Sequence, residues 1–297
     1  MKVLILSRKK RLYSTRRLRE EVEKLGHDVL VLDPLKCVLS LKDDGPRMFY
    51  GPKEIRSVDL VFPRVGTFGT AYAISVVRHL GLMRVPAMND DGAITRARNK
   101  LECLQILAGN GIRIPDTLIS RHPRMVRNRL RHLGGTPVIM KLLRGTWGTG
   151  VIYAESEAAV ESMLETMWGI GEDIMIQKFI AESMGKDIRA LVVDGKVVAS
   201  MRRVAKPGEF RSNIHRGGTG ERVDLPKEYE EAALASARVT GLLVAGVDML
   251  ESSEGPKVIE VNASPGFQGM EKATGQNVAR MIVEAGVAFA SRVKGNS

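Results

Sequence analysis

The stretch VIMKLLRGTWGTGVIYA, residues 138–154, decides the fold. It begins as an apolar strand, Val138–Lys141, and resumes as a second one, Val151–Ala154. Between them stands Gly145-Thr146-Trp147-Gly148-Thr149-Gly150. Glycines at this spacing let backbone N–H groups approach an anion closely. A P-loop would need Lys-Ser/Thr after the glycines and a helix next, and here a strand continues. Strand, glycine loop, strand reads instead as a flap over nucleotide phosphates, with Lys141 as a point charge on the preceding strand. The bland alternative is a flexible hairpin; the upstream lysine favours the flap.

Downstream the strands continue. Ile174–Ile180 is followed by a hairpin, Ile188–Val193 and Lys196–Met201, turning at Asp194-Gly195. Asp-Gly between alternating apolar runs is the strongest short-range hairpin signal. Helices are expected over Glu157–Met167 and Lys227–Thr240, then a strand pair, Val244–Leu250 and Val258–Val261, and a last helix over Gln276–Val293. Strand period places Glu260 and Asn262 on one face, and the turn at Ser252–Pro256 brings Asp248 alongside. Carboxylates in such apolar strands are costly unless paired or bound to metal. An all-oxygen set without His or Cys suits Mg²⁺ or Mn²⁺. The cation-dense loop Arg202-Arg203 through Arg211-Ser212-Asn213 and His215–Gly218 suits phosphate or carboxylate, or equally an RNA contact or plain surface.

Upstream, Val3–Leu6, Val29–Leu32 and Leu60–Pro63 read as buried strands, with helices over Tyr13–Leu25 and Gly69–Leu80 and a short strand at Val85–Met88. This βαβ order implies a parallel sheet. No GxGxxG follows the first strand, which disfavours a dinucleotide site there. Asn89 is expected to cap one long helix ending at Gly109-Asn110-Gly111, before an extended Thr117–Ser120. The arginines of Arg121–His132 read as a solvated helix face. The fold class is α/β and α+β, with an N-terminal βαβ domain, residues 1–100, and a two-lobed region, 101–297, split near residue 178.

Composition sets the outer limits. The 297 residues are 44% hydrophobic and 27% charged, as in a globular protein. Aromatic content is only 5%, too low for a base-stacking platform for single-stranded nucleic acid. The 45 Lys and Arg against 34 Asp and Glu leave +11, which attracts anions without choosing among them. The four apolar residues Val3–Leu6 are too few for a secretory signal, no membrane span is present, and a cytoplasmic location is expected. Two cysteines, Cys37 and Cys103, make neither a disulfide framework nor a CxxC metal site.

Taken in order, these motifs resemble the ATP-grasp superfamily over almost the whole chain. They are Lys100 in Ala97-Arg98-Asn99-Lys100, Lys141 with its glycine loop, Gln177-Lys178-Phe179-Ile180, Asp187-Ile188-Arg189, Arg211-Ser212-Asn213, and Asp248 with Glu260-Val261-Asn262. Met1–Ser7, Leu32-Asp33-Pro34, Pro63-Arg64-Val65-Gly66, Glu209–Gly218 and Glu260–Glu271 narrow the resemblance to the RimK family of glutamate ligases. It implies that Lys100, Lys141, Gly148 and Gly150 hold ATP phosphates. Gln177, Lys178, Phe179 and Ile180 would meet adenine, and Asp187 the ribose. Arg203, Arg211, Ser212 and Asn213 would serve the phosphates and the reacting centre, and Asp248, Glu260 and Asn262 two Mg²⁺ or Mn²⁺ ions. Lys178 departs from the family's usual Glu.

The reaction so implied joins glutamate to a carboxylate at the C-terminus of an acidic-tailed small-subunit ribosomal protein, through an acyl phosphate. ATP, glutamate, that protein and a ribosome contact are the expected partners, and a homotetramer the expected assembly. Arg64 is a candidate for acceptor binding. The rival readings are glutamylation of a coenzyme or an amino-group carrier protein, and a ribosome- or RNA-binding ATPase.

Overall fold

The computed structural model describes residues 1–66, 69–120, 125–126, 129–143, 150–206, 209 and 218–295. β1 (Lys2–Leu6), α1 (Tyr13–Lys24) and β2 (Asp28–Leu32) open the chain. Next come β3 (Cys37–Lys42), β4 (Gly45–Tyr50), β5 (Lys53–Ile55), β6 (Leu60–Pro63) and α2 (Thr70–Leu82). β2, β1 and β6 form the expected parallel sheet with β1 in the centre. Val3 and Ile5 pack into one core and Leu4 and Leu6 into another, so β1 is buried on both faces and reads as an unbroken apolar run.

The antiparallel meander β3-β4-β5 lies in a stretch read as polar. Met48 is buried there while Val38 and Leu41 stand 56% and 74% exposed, so no continuous apolar run announces it. Val85–Met88 is not a strand; it contributes a single parallel bridge between Ala87 and Val61. Burial pushes the Cys37 thiol up to about 11 and the Cys103 thiol up to about 12, and both are free and buried, as filler residues should be.

The expected long helix is two, α3 (Asp91–Arg98) and α4 (Lys100–Gly109). Asn99 breaks it: the residue is extended, and its side chain accepts from Glu102 N at 3.2 Å to cap α4. Asp90, not Asn89, caps α3, accepting from Ala93 N. Asn89 sits at φ 89° and does other work. Its Nδ2 donates to the carbonyls of Val244 and Ala263, and its Oδ1 accepts from the N–H groups of Leu243 and Val244, at 2.7–2.9 Å.

β7 (Thr117–Ile119), β8 (Val138–Leu142), β9 (Val151–Ala154), α5 (Glu157–Gly169) and β10 (Ile174–Lys178) make a small lobe, with sheet order β7-β10-β8-β9. The larger lobe contains β11 (Lys186–Val193), β12 (Lys196–Val204), β13 (Thr219–Arg222), α6 (Lys227–Thr240), β14 (Val244–Leu250) and β15 (Lys257–Asn262). Its antiparallel sheet runs β13-β12-β11-β14-β15. Asp194 and Gly195 both take positive φ, 47° and 75°, which a tight two-residue hairpin requires.

α7 (Gln268–Thr274) and α8 (Val278–Gly295) follow. α8 returns to the first sheet: Val278, Ile282 and Val283 share a core with Val3, Ile5, Leu60 and Phe62. A Cβ on Gly286 would lie 2.5 Å from the Phe62 ring, so only glycine admits this approach. The N-terminal sheet is thereby packed into the larger lobe.

Candidate active site

Register assembles the site. In the five-stranded sheet Asp187 lies opposite Arg203, Arg189 opposite Asp248, and Asp248 opposite Glu260. The last pairing is the one expected from the turn at Ser252–Pro256. Between Asp248 and Met249 the register shifts, because Ile259 is an extra residue on β15. Such bulges re-aim side chains next to functional sites.

The charges in this row are tightly matched. Arg203 donates to both Asp187 oxygens at 2.6 Å, and its Nη2 lies 3.0 Å from Asp248. Arg189 donates to both Asp248 oxygens, at 2.6 and 2.5 Å. Burial opposes ionisation of Asp248, yet Arg189 and Arg203 outweigh it and hold the carboxyl below its usual range. Burial likewise works against the Arg203 charge, and Asp248 and Asp187 reverse the effect and raise it. Asp187, expected at the ribose, is buried with both oxygens accepting from Arg203.

Glu260 is different. It is exposed, and among the described residues it has no hydrogen bond or ion pair. Asn262 donates weakly to Gly246 O at 3.4 Å, which leaves its amide oxygen available. Asp248, Glu260 and Asn262 are hard oxygen donors and fit Mg²⁺ or Mn²⁺. Among the described residues no group of three or more His, Cys, Asp or Glu is placed to hold a metal ion by itself.

Two lysines face these carboxylates. Lys141, on β8, is pressed down to about 8 by burial, against the pull of Glu260, Asp248 and Asp187 and with the push of Lys100. Lys100 begins α4, donates from Nζ to Leu142 O at 2.9 Å, and is lowered by burial while Glu260 pulls the other way. Glu260 favours the charged form of both lysines, which come from two elements, without forming an ion pair with either. Such desolvated ammonium groups are poised for a polyanion.

The edge beside β10 is less uniform than expected. The Gln177 side chain is buried and donates to Thr117 Oγ1 at 2.9 Å, and its backbone lies in register between Thr117 of β7 and Ile139 of β8. β10 ends at Lys178, whose N–H donates to Asp116 O and whose exposed Nζ lies 3.9 Å from Asp116. Phe179 stacks edge-on against Tyr153 of β9 at 5.0 Å, and Ile180 is buried. Gly150 takes φ 78°, and a Cβ there would meet Leu142 at 2.6 Å. Gly148, Arg211, Ser212 and Asn213 lie outside the described residues.

Arg189, quoted within the motif Asp187-Ile188-Arg189, is the site residue to which the sequence reading gave no role. Its signal is the two-residue spacing from Asp187, which puts both on one face of β11.

Residues 97–285 match the family model for the RimK-like ATP-grasp domain, and residues 1–94 the RimK pre-ATP-grasp domain. The chain belongs to the RimK family. A probable alpha-L-glutamate ligase of Marinomonas sp. is 45% identical over 96% of this chain and 94% of its own length. One from Methanococcoides burtonii is 44% identical over the same shares. Among solved structures, a RimK domain ATP-grasp protein from Sphaerobacter thermophilus superposes with TM-score 0.74 at 20% identity, over 97% of this chain and 100% of that one. The ATP-grasp ligase PsnB, complexed with minimal precursor, Mg and ADP, gives 0.77 at 19% identity, over 98% of each chain. This RimK-family chain is an ATP-grasp ligase, and ATP with a divalent ion is the co-substrate of that fold's enzymes. No helix among its described residues is long and apolar enough to cross a membrane.

Proposed function

We propose that this RimK-family enzyme adds glutamate to the C-terminal carboxylate of an acidic-tailed small-subunit ribosomal protein. The γ-phosphoryl group of ATP passes to an oxygen of that carboxylate, releasing ADP. The glutamate nitrogen then attacks the acyl carbon, an amide bond forms, and phosphate leaves with the bonding electrons. The work lies in bringing anions together and neutralising them. Lys100 and Lys141, with Gly148 and Gly150 of the flap, hold phosphate. The backbone from Gln177 to Ile180 holds adenine. Asp248, Glu260 and Asn262 hold one or two divalent ions, which would neutralise phosphate charge. Arg203, Arg211, Ser212 and Asn213 serve the phosphates and the reacting centre.

The observation that carries this reading is the placement of Lys141 on β8 and of Lys100 against Leu142 O at the end of the same strand, with register setting Asp248 directly opposite Glu260. The ligase names of relatives at 45% identity support glutamate as the added group. The +11 charge supports an acidic acceptor. A cytoplasmic homotetramer in contact with ribosomes completes the proposal.

Mass spectrometry of purified small-subunit proteins after incubation with enzyme, ATP, Mg²⁺ and glutamate tests it. A ladder of glutamyl additions on one acidic-tailed protein is expected. Rising salt should weaken the acceptor's apparent affinity more than that of ATP, because long-range attraction is screened over about 8 Å at physiological ionic strength. A single, salt-insensitive addition to a small molecule would replace the ribosomal acceptor with a coenzyme. ATP turnover that responds to RNA but not to glutamate would point to a ribosome- or RNA-binding ATPase.

A further inference from the structure

Arg64 leaves the C-terminal end of β6 with no acid to meet it among the described residues. Among the described residues its Nη2 donates to Pro265 O at 2.8 Å and to Ser14 Oγ at 3.1 Å, while its Nε and Nη1 have no partner there. The guanidinium lies over the Phe267 ring, 6.0 Å from its centroid. Nearby arginines are matched: Arg17 meets Glu20, Glu21 and Glu271, and Arg189 and Arg203 meet Asp248 and Asp187. Burial presses the Arg64 charge down to about 10, and no carboxylate offsets it. A guanidinium so desolvated is costly until an anion joins it, and its planar fork fits a carboxylate.

Its place in the fold is that of a ligand site. Arg64 N donates to Leu6 O, so the residue stands where β1 and β6 both end, at the carboxyl edge of the parallel sheet. α1 starts beside it with an uncapped Leu12 and no acid in its first turn, which adds positive potential. The exposed run Arg8-Lys9-Lys10-Arg11 leads into that helix. Ser264 Oγ donates to Pro63 O at 3.3 Å, fastening the end of β6 to the loop that leaves Glu260 and Asn262.

We infer that Arg64, with Ser14 beside it, forms a carboxylate-binding subsite of the reaction centre. Its ligand is either the α-carboxylate of the incoming glutamate or the terminal carboxylate of the acceptor. The inference rests on the ligase reading above and adds to it the group that orients a substrate.

The test is steady-state ADP release by the wild type, Arg64→Gln, Arg64→Lys and Ser14→Ala, with glutamate and with an acidic acceptor peptide varied in turn. Arg64→Gln should raise KM for one carboxylate substrate about tenfold or more, as loss of a charged hydrogen-bonded partner does. KM for ATP and the thermal midpoint should stay put, and Arg64→Lys, which keeps charge but not the fork, should fall between. A rise for glutamate assigns the subsite to the incoming amino acid. A rise for a peptide with a free C-terminus, absent when that terminus is amidated, assigns it to the acceptor. Unchanged values for both overturn the inference. So does a loss shared by all substrates with a lowered midpoint in both Arg64 variants, since Arg64 then only ties β6 to the 263–267 loop. If the wild type itself releases no glutamate-dependent ADP, the ligase reading has failed independently. Equilibrium binding of L-glutamate and of the peptide to wild type and Arg64→Gln then decides the subsite: weaker binding to the variant upholds it, and equal binding overturns it.

Discussion

Arg189 on β11 grips Asp248 on β14 through two hydrogen bonds of 2.6 and 2.5 Å, one to each carboxylate oxygen. The carboxylate expected to serve a metal ion is therefore held in one orientation by the neighbouring strand before any ligand arrives. Arg203, on β12, reinforces it with Nη2 3.0 Å from the same oxygen that Arg189 Nη2 meets.

Replacing Arg189 by Met removes one partner of a buried pair. Breaking such a pair costs about 3–5 kcal/mol, and the lower end is expected because Arg203 remains. Urea unfolding should show a loss near about 3 kcal/mol. A loss under about 1 kcal/mol, the scale of an exposed pair, would show that Asp248 does not depend on this arginine.

Glu260→Ala should separate chemistry from folding. The side chain is exposed and has no partner among the described residues, so the thermal midpoint should hold. ADP formation should vanish, even at saturating Mg²⁺. Near-normal turnover would remove Glu260 from the metal set.

Lys141 gives a pH signature. Its ammonium ordinarily titrates at 10.5 and here at about 8, so above pH 8 the folded protein loses that proton first. The unfolded chain then binds more protons up to about 10.5, and the free protein gains stability as pH rises through this window. Affinity for nucleotide should move the opposite way, falling above pH 8 as the cation disappears. Lys141→Met should bind ATP more weakly at pH 7 and lose this part of the pH dependence. An unchanged profile in the variant would reduce the glycine loop to a hairpin without a phosphate role.

Asn89→Ala should be among the most damaging changes outside the site's own side chains. It strands two carbonyls and two N–H groups of the 243–263 region and leaves at φ 89° a residue without the short polar side chain that lets Asn adopt this conformation. Each buried group left unpaired costs about 1–3 kcal/mol, so a total of about 3 kcal/mol or more is expected. A drop within about 0.5 kcal/mol, as at an ordinary surface site, would mean that other groups take over these bonds.

What the residues announced depended on how local the signal was. Val3–Leu6 and Leu60–Pro63 are buried on both sides and Val29–Leu32 in part, and their apolar runs gave away the parallel sheet. Asp194-Gly195 fixed its hairpin, and the turn at Ser252–Pro256 was short enough to put Asp248 opposite Glu260. Asn89 misled because a helix does begin beside it, and nothing local tells that its amide reaches residues more than 150 positions away. The grip of Arg189 on Asp248 depends on the β11–β14 register, which separates residues by 59 positions. The β3-β4-β5 meander escaped because it buries only one face and ends in charged turns.

The glycine seat of α8 against Phe62 carries a consequence for how this chain is made. Val3, Ile5, Leu60 and Phe62 of the parallel sheet are translated well before α8, which begins at Val278 and supplies part of their cover. That apolar face stays sticky and incomplete until the ribosome has passed α8. Chaperone dependence should concentrate in that interval, and a ribosome stalled before Val278 would hold a nascent chain prone to aggregate.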